Sequence, residues 1–115
     1  EVKADKIILA LPFYTRQWKI NSNGEVTSKS VVSMLNTKIP NGVEKKWNED
    51  LQQYYIEYAD GKDTVKMWIE DGTSITSKVS LVSKYGLAGT SGWRKDMETS
   101  NVWTIINTEL QKASN

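Results

Sequence analysis

The sequence predicts a single α+β domain, and three patterns lead to that prediction. An unbroken apolar run at residues 7–11 is typical of a buried strand. Residues 53–70 contain two alternating segments with a turn between them, which predicts an antiparallel hairpin. Two segments with apolar residues at helical spacing follow, at 75–85 and after Ser100. Because 115 residues suffice for one domain but not for two, we expect residues 1–115 to form one unit.

The composition excludes several classes of function. The 15 basic and 14 acidic residues leave a net charge of +1, and no basic run exceeds two residues, so a nucleic acid partner is not expected. Cysteine and histidine are absent, which removes thiol nucleophiles and the commonest general base and metal ligand, and we expect neither a metal nor a cofactor. No apolar run approaches the ~20 residues of a membrane span. The chain has five Trp and five Tyr but one Phe. Because Trp and Tyr combine an apolar ring with a polar group, they suit partly solvated surfaces better than a dry core.

The first predicted strand covers residues 6–13. Its apolar residues do not alternate with polar ones, so we expect both of its faces to be buried, as in a parallel sheet. Pro12 ends regular pairing, and residues 14–18 follow on the carboxyl side of the strand, with a turn expected at Tyr14 and Arg16. Further along the chain, residues 28–35 are interpreted as a short helix.

The second half of the chain has clearer signals. Strands at 53–59 and 64–70 are joined by a segment that contains Asp60-Gly61, a strong hairpin signal. A helix over 75–85 follows, with Thr73 or Ser74 as its N-cap and Gly86 as a left-handed C-cap. Residues 87–93 are predicted to form a short glycine-rich strand, and Ser100 to cap a final helix. The inward-facing residues of that last helix are Val102, Ile105, Ile106 and Leu110.

Three blocks of sequence carry a family resemblance. Residues 6–18 read KIILALPFYTRQW, residues 65–85 read VKMWIEDGTSITSKVSLVSKY, and residues 86–93 are followed by Val102-Trp103. In this order they resemble the last part of glycoside hydrolase family 18, the chitinase-like barrels. They look most like the bacterial branch that acts on cell-wall or spore-cortex polymers.

The resemblance implies a fragment of a (β/α)8 barrel. Residues 1–18 and 74–115 would supply the last two strands and helices of the barrel, and residues 19–73 a small inserted antiparallel α+β subdomain. Ala10 and Thr15 depart from the family, which usually has glycine at these positions. The Asp-rich motif that ends in the family's catalytic Glu is absent, and a whole barrel takes ~250 residues. We therefore expect a piece of a longer enzyme with no catalytic residue of its own.

The family's activity is also implied. Family 18 enzymes cleave β-linked N-acetylhexosamine polymers, chitin or peptidoglycan, by a retaining mechanism in which the substrate's N-acetyl group attacks the anomeric carbon. This chain would supply sugar-binding aromatics, would be inactive alone, and would come from an extracellular, cell-wall or spore-associated protein. The alternatives are a carbohydrate-binding module without catalysis and a structural piece without a ligand.

Three residues at the ends of the two barrel-like strands are the first candidates for substrate binding. Trp93 matches the aromatic floor that the family places under the sugar, although a core Trp at a strand end is the competing interpretation. Tyr14 and Arg16 follow the other strand at the same face, where Arg offers planar donors to sugar oxygens or forms an ordinary loop salt bridge.

Two further candidates come from the inserted segment and its borders. Trp18 is interpreted as a wall of the cleft, whereas Trp68 equally suits the outer face of the hairpin. Glu70 and Asp71 are adjacent, so they cannot easily converge on one bond. The resemblance places Glu70 at the cleft edge, and Asp71 next to a helix N-terminus is well explained by the helix dipole.

We also expect self-association through unpaired strand edges at residues 7–11 and 87–93.

Overall fold

Strands and helices both occur in residues 1–113, the part of the chain that a computed structural model describes. The strands are β1 (Ile8–Pro12), β2 (Tyr14–Ile20), β3 (Val26–Ser33), β4 (Lys46–Asn48), β5 (Gln53–Asp60), β6 (Asp63–Ile69) and β7 (Gly89–Trp93). The helices are α1 (Gly72–Tyr85) and α2 (Val102–Ala113), with short 3₁₀ turns at Ala4–Lys6 and Met34–Asn36. The predicted α+β class is confirmed.

A two-stranded parallel sheet joins the two ends of the chain. β1 pairs with β7 in a register that places Ile8 opposite Gly89 and Pro12 opposite Trp93. Leu11 is buried against the helices, whereas Ile8 is 61% exposed. The prediction that this strand is buried on both faces was therefore wrong for residues 1–113, because the helices cover only one side of the sheet.

The two helices pack together over the buried side of this small sheet. The N-cap of α1 is Asp71, whose carboxylate accepts from the Ser74 backbone N–H at 3.0 Å while the Ser74 hydroxyl accepts from the Asp71 N–H at 3.0 Å. The predicted caps Thr73 and Ser74 were wrong, because this reciprocal pair starts the helix earlier. Gly86 adopts φ 63° and ends α1 as predicted. The core between the helices is formed by Leu11, Phe13, Met34, Ile75, Val79, Val102 and Ile106.

The remaining strands form a five-stranded antiparallel sheet in the order β3-β2-β6-β5-β4. The predicted hairpin is confirmed as β5 and β6, with Gly61 at φ 64° in its turn. The turn expected at Tyr14 and Arg16 and the helix predicted at residues 28–35 were wrong, since β2 pairs with β3 on one side and with β6 on the other. Val31 and Val32 are β-branched, which favours a strand once a partner strand is present.

The two faces of the five-stranded sheet differ in character. One face is covered by apolar residues around a buried cluster of Ile56, Val65, Met67 and Ile69. The opposite face, here called the outer face, carries Trp18, Tyr55 and Trp68, all partly exposed, beside the exposed Arg16. The candidate site lies on this outer face. Within residues 1–113, neither α1 nor α2 has the length and hydropathy to cross a membrane.

Candidate functional site

A groove of about 290 Å³ opens where β1 leads into β2. Its lining residues are Pro12, Tyr14, Arg16, Trp18, Gln53, Trp68, Glu70 and Lys78. The positions 14, 16 and 18 share one face of β2 because side chains alternate along a strand. The structure thus brings four of the five residues predicted from the sequence into one groove, with Trp93 outside its lining.

The wall of the groove is built by cross-strand neighbours. Arg16 of β2 lies opposite Trp68 of β6, which in turn lies opposite Tyr55 of β5. The Trp68 and Tyr55 rings have centroids 4.8 Å apart. The Arg16 guanidinium lies 5.7 Å from the centroid of the Tyr14 ring, a cation–π contact that orients its planar donors. The wall therefore presents aromatic faces beside a fork of hydrogen-bond donors.

Glu70 forms the floor of the groove and is 3% exposed. Its Oε1 accepts from the Ser74 hydroxyl at 2.7 Å, and its Oε2 accepts from the Gln53 amide at 3.1 Å and from the Lys78 ammonium. Its backbone N–H donates to the Thr15 hydroxyl at 3.0 Å. Both carboxylate oxygens are thus engaged within the chain, and the groups around them are donors.

The electrostatics of Glu70 reflect two opposing effects. Burial raises the pKa of this carboxyl above its ordinary value of 4.5, and the adjacent charge of Asp71 raises it slightly further. The positive charge of Lys78, with the hydrogen bonds from Lys78 and Ser74, lowers the pKa without cancelling the effect of burial. The ion pair with Lys78 keeps the buried negative charge from being left uncompensated.

Trp93 lies at the same end of the two-stranded sheet from which the groove begins. It is the last residue of β7 and pairs with Pro12, which lines the groove. Because β1 and β7 are parallel, their carboxyl ends share one edge. The Trp93 carbonyl accepts a hydrogen bond of 2.7 Å from the Phe13 N–H, and its indole is 68% exposed. Trp93 is therefore an open surface residue rather than a core Trp.

Comparison with known proteins decides the family. A family model described as glycosyl hydrolases family 18 matches residues 1–98. The chain belongs to glycosyl hydrolases family 18. The cortical fragment-lytic enzyme of Bacillus subtilis (strain 168) is 22% identical to it over 114 residues, which are 96% of this chain and 26% of that enzyme. The chain thus spans about a quarter of the length of this relative.

Solved structures show the same fold. A chitinase from Chromobacterium violaceum ATCC 12472 aligns with a TM-score of 0.75 and 22% identity, over 95% of this chain and 34% of the chitinase. The spore cortex-lytic enzyme SleL of Bacillus megaterium QM B1551 aligns with a TM-score of 0.72 and 20% identity, over 95% of this chain and 26% of the enzyme. The family 18 resemblance inferred from the three sequence blocks is confirmed.

Four of the eight residues that line the groove were not predicted as site residues, namely Pro12, Gln53, Trp68 and Lys78. Trp68 was assigned equally to the outer face of the hairpin, and its pairing with Arg16 depends on the register of β2 with β6. Gln53 begins β5 and reaches Glu70 across the sheet. Lys78 follows Ser74 by four residues, so it lies one helical turn further along the same face of α1. The four-residue spacing of Ser74 and Lys78 would have predicted that Lys78 also reaches Glu70, once the contact between Ser74 and Glu70 was known.

The groove suits binding better than acid–base chemistry. Glu70 is the one carboxylate among its eight lining residues, and both of its oxygens already accept hydrogen bonds. A family 18 reaction needs a carboxyl that is free to protonate the leaving oxygen. Residues 1–113 contain no group of three carboxylates that could hold a metal ion. The geometry favours holding a polar, ring-shaped ligand against aromatic faces.

Proposed function

We propose that this chain is the C-terminal part of a family 18 enzyme that cleaves β-linked N-acetylhexosamine polymers. In this proposal it supplies sugar-binding aromatics and no catalytic acid. The observation that carries the proposal is the groove itself, in which Tyr14, Arg16, Trp18 and Glu70 converge beside the exposed Trp93. Aromatic faces next to planar donors match a sugar ring, which has apolar C–H faces and a polar rim.

The proposed architecture is a partial barrel with an insertion. β1 and β7, with the helices α1 and α2, would be the last two strand–helix units, and residues 19–73 the inserted subdomain. The parallel pairing of β1 with β7 and the exposed Ile8 support this proposal, because a barrel would cover that side with further chain. The groove would then open at the carboxyl ends of the barrel strands, where such enzymes place their sites.

The proposed mechanism is retaining and assisted by the substrate. Trp93 would stack under the ring at which the bond breaks, and Arg16 would donate to ring substituents. The acid that protonates the leaving oxygen would come from polypeptide outside these residues, and the substrate's N-acetyl group would attack the anomeric carbon. Glu70 would position Lys78 and Gln53 rather than react, since both of its oxygens are engaged.

The polymer is proposed as chitin or peptidoglycan. One relative is named a chitinase, and two are named for lysis of the spore cortex or its fragments. All three are at most 22% identical to this chain, so they support the class of polymer without selecting one. The two relatives named for cortex lysis support the further proposal that the parent protein is extracellular or associated with the cell wall or the spore.

Titration of this chain with N-acetylglucosamine oligomers, followed by tryptophan fluorescence, tests the proposal. We expect binding in the millimolar range that Tyr14→Ala weakens, and no hydrolysis of the oligomer. Tyr85→Ala is a matched control, because it removes the same side chain from an exposed position at the far end of α1, outside the groove. No binding at millimolar oligomer would contradict the proposal, and turnover by this chain would contradict the proposed lack of an acid.

A carbohydrate-binding module without catalysis is the second candidate. It is favoured by one observation, namely that Tyr14, Trp18 and Trp68 already line one groove within this chain, so a sugar ring could be bound without further polypeptide. Binding tighter than millimolar by this chain would favour the module, because a partial barrel holds only part of a cleft.

We further propose that copies of this chain associate through the free edges of β1 and β7. Within residues 1–113 each of these strands has one neighbour in the sheet, and Ile8 lies exposed on β1. Light scattering should show dimers or larger species that increase with concentration, and a monomer at high concentration would contradict this.

A further inference from the structure

Two exposed turns of the chain contain the sequence Asn-Gly, at Asn23-Gly24 and at Asn41-Gly42. The two glycines have φ 83° and 81°. Within residues 1–113, no heavy atom beyond the chain neighbours lies within 4 Å of the position that a Cβ would take at either glycine. The backbone nitrogen after each asparagine is therefore equally open to the asparagine carboxamide, which such a nitrogen can attack slowly without an enzyme. The hydrogen bonds around each turn decide which of the two sites reacts.

We propose that Asn41 is a site of self-modification, at which attack by the Gly42 nitrogen converts the asparagine into aspartate or isoaspartate. A bond forms between the Gly42 nitrogen and the Asn41 Cγ, and the bond from Cγ to the side-chain nitrogen breaks. That nitrogen leaves as ammonia, with the proton that the Gly42 nitrogen has lost. Water then opens the cyclic imide, giving isoaspartate if it adds at the backbone carbonyl and aspartate if it adds at the side-chain carbonyl.

The turn at Asn23 is held closed by a set of hydrogen bonds. The Gly24 N–H, whose proton has to leave during the attack, donates to the Asn21 carbonyl at 3.0 Å, and the Asn21 N–H donates to the Glu25 carbonyl at 2.9 Å. The Asn21 side chain accepts from the Glu25 N–H at 3.0 Å and donates to the Glu25 carboxylate at 2.8 Å. Because rotation of the Asn23–Gly24 peptide toward the carboxamide breaks such bonds, attack at this turn is slow.

The turn at Asn41 has much less support. Its one backbone hydrogen bond within residues 1–113 runs from the Val43 N–H to the Pro40 carbonyl at 3.1 Å. In the same part of the chain, neither the Gly42 N–H nor the Asn41 carboxamide has a hydrogen-bond partner. The attacking nitrogen and the group that it attacks are therefore both unrestrained. Because breaking one or two net hydrogen bonds corresponds to roughly tenfold in rate, we expect Asn41 to react at least about tenfold faster than Asn23.

The position of Asn41 gives the modification a structural effect. Ile39 and Val43 flank the turn, and both pack against the buried cluster of the five-stranded sheet. Isoaspartate adds a methylene to the main chain between these two anchors, so their side chains lose the spacing that fits the cluster. Close-packed interiors tolerate such changes poorly. The modified chain should therefore unfold at a lower temperature than the fresh chain.

Peptide mapping by mass spectrometry, after incubation of the folded chain in mildly alkaline buffer, tests the proposal. We expect aspartate and isoaspartate to accumulate at Asn41 at least about tenfold faster than at Asn23. In urea, where both turns are open, the two rates should become similar. Equal rates in the folded chain, a faster reaction at Asn23, or no reaction at Asn41 would overturn the proposal. So would a difference that persists in urea, because the local sequence and not the fold would then set it.

Two matched variants test the effect on stability. Asn41→Gln keeps the amide but moves it one methylene away from the Gly42 nitrogen, and Asn23→Gln makes the same change at the protected turn. After incubation, the unmodified chain and Asn23→Gln should melt at a lower temperature than before, whereas Asn41→Gln should keep its melting temperature. An equal loss in Asn41→Gln would assign the destabilisation to another site and overturn the effect proposed for Asn41. An unchanged melting temperature of the modified chain would also overturn that effect.

Discussion

Glu70 and Lys78 form an ion pair at the floor of the groove, with the carboxylate 3% exposed and the ammonium on the first turns of α1. The pair connects the end of β6 to the helix that follows it. Because the Gln53 amide bonds the same carboxylate oxygen, β5, β6 and α1 are fixed to one another at this point. The shape of the groove therefore depends on a charge pair that a ligand need not touch.

Lys78→Met tests how much this ion pair contributes to the stability of the fold. The substitution keeps the length of the side chain but leaves the buried Glu70 without its cation, so we expect the free energy of unfolding to fall by on the order of 3 kcal/mol. Urea denaturation followed by fluorescence measures it. Lys112→Met is the control, because it breaks the more exposed pair with Glu109 and should cost less than about 1 kcal/mol. Equal effects of the two substitutions would show that burial of Glu70 carries no cost.

The raised pKa of Glu70 predicts how stability depends on pH. A carboxyl with a higher pKa in the folded state than in the unfolded state binds its proton more tightly when folded. Its contribution is complete below the unfolded value near 4.5 and is lost as pH rises through the folded value. We therefore expect Glu70→Gln, which cannot ionise, to gain stability relative to the unmodified chain as pH rises from 4 toward neutrality. Denaturation curves across that range measure the difference, and a relative loss for Glu70→Gln would contradict the raised pKa.

Thr15→Val tests the contact between β2 and the end of β6. Thr15 is fully buried, and its hydroxyl accepts from the backbone N–H of Glu70 at 3.0 Å. Valine has nearly the same shape but no acceptor, so a buried N–H is left unpaired and we expect a loss of about 1–3 kcal/mol. Thermal denaturation measures this loss. Thr27→Val is the control, because the Thr27 hydroxyl makes one long, exposed bond to the Lys19 carbonyl. An equally small loss of stability for both variants would show that the Thr15 hydroxyl does not stabilise the groove.

The sequence predicted the hairpin and α1 because their signals are local. Two runs of alternating apolar and polar residues joined by Asp60-Gly61 favour a hairpin in any structural context. Gly86 ends a helix because glycine readily adopts the left-handed backbone conformation. Residues 28–35 were harder, because Val31 and Val32 fit a helix or a strand until a partner strand is known. β2 is that partner, and no local pattern shows the pairing.

The site was predictable to a similar degree. Tyr14, Arg16 and Trp18 converge because every second residue of a strand shares a face. Gln53 and Trp68 reach the same groove only through the pairing of β5 with β6 and of β6 with β2, which depends on contacts distant in sequence. The exposed side of β1 could not be predicted either, since an apolar run indicates what can be buried and not what covers it.

The indole N–H signals of the five tryptophans provide the most direct test of the account. Trp18 and Trp68 line the groove, and Trp93 lies at its edge, whereas the Trp47 and Trp103 indoles donate to Glu49 and Glu98 away from it. In a two-dimensional NMR titration with an N-acetylglucosamine oligomer, we predict that the signals of Trp18, Trp68 and Trp93 shift together. Those of Trp47 and Trp103 should stay unchanged. Shifts confined to Trp47 and Trp103, or no shift at millimolar oligomer, would contradict a sugar-binding groove on this face.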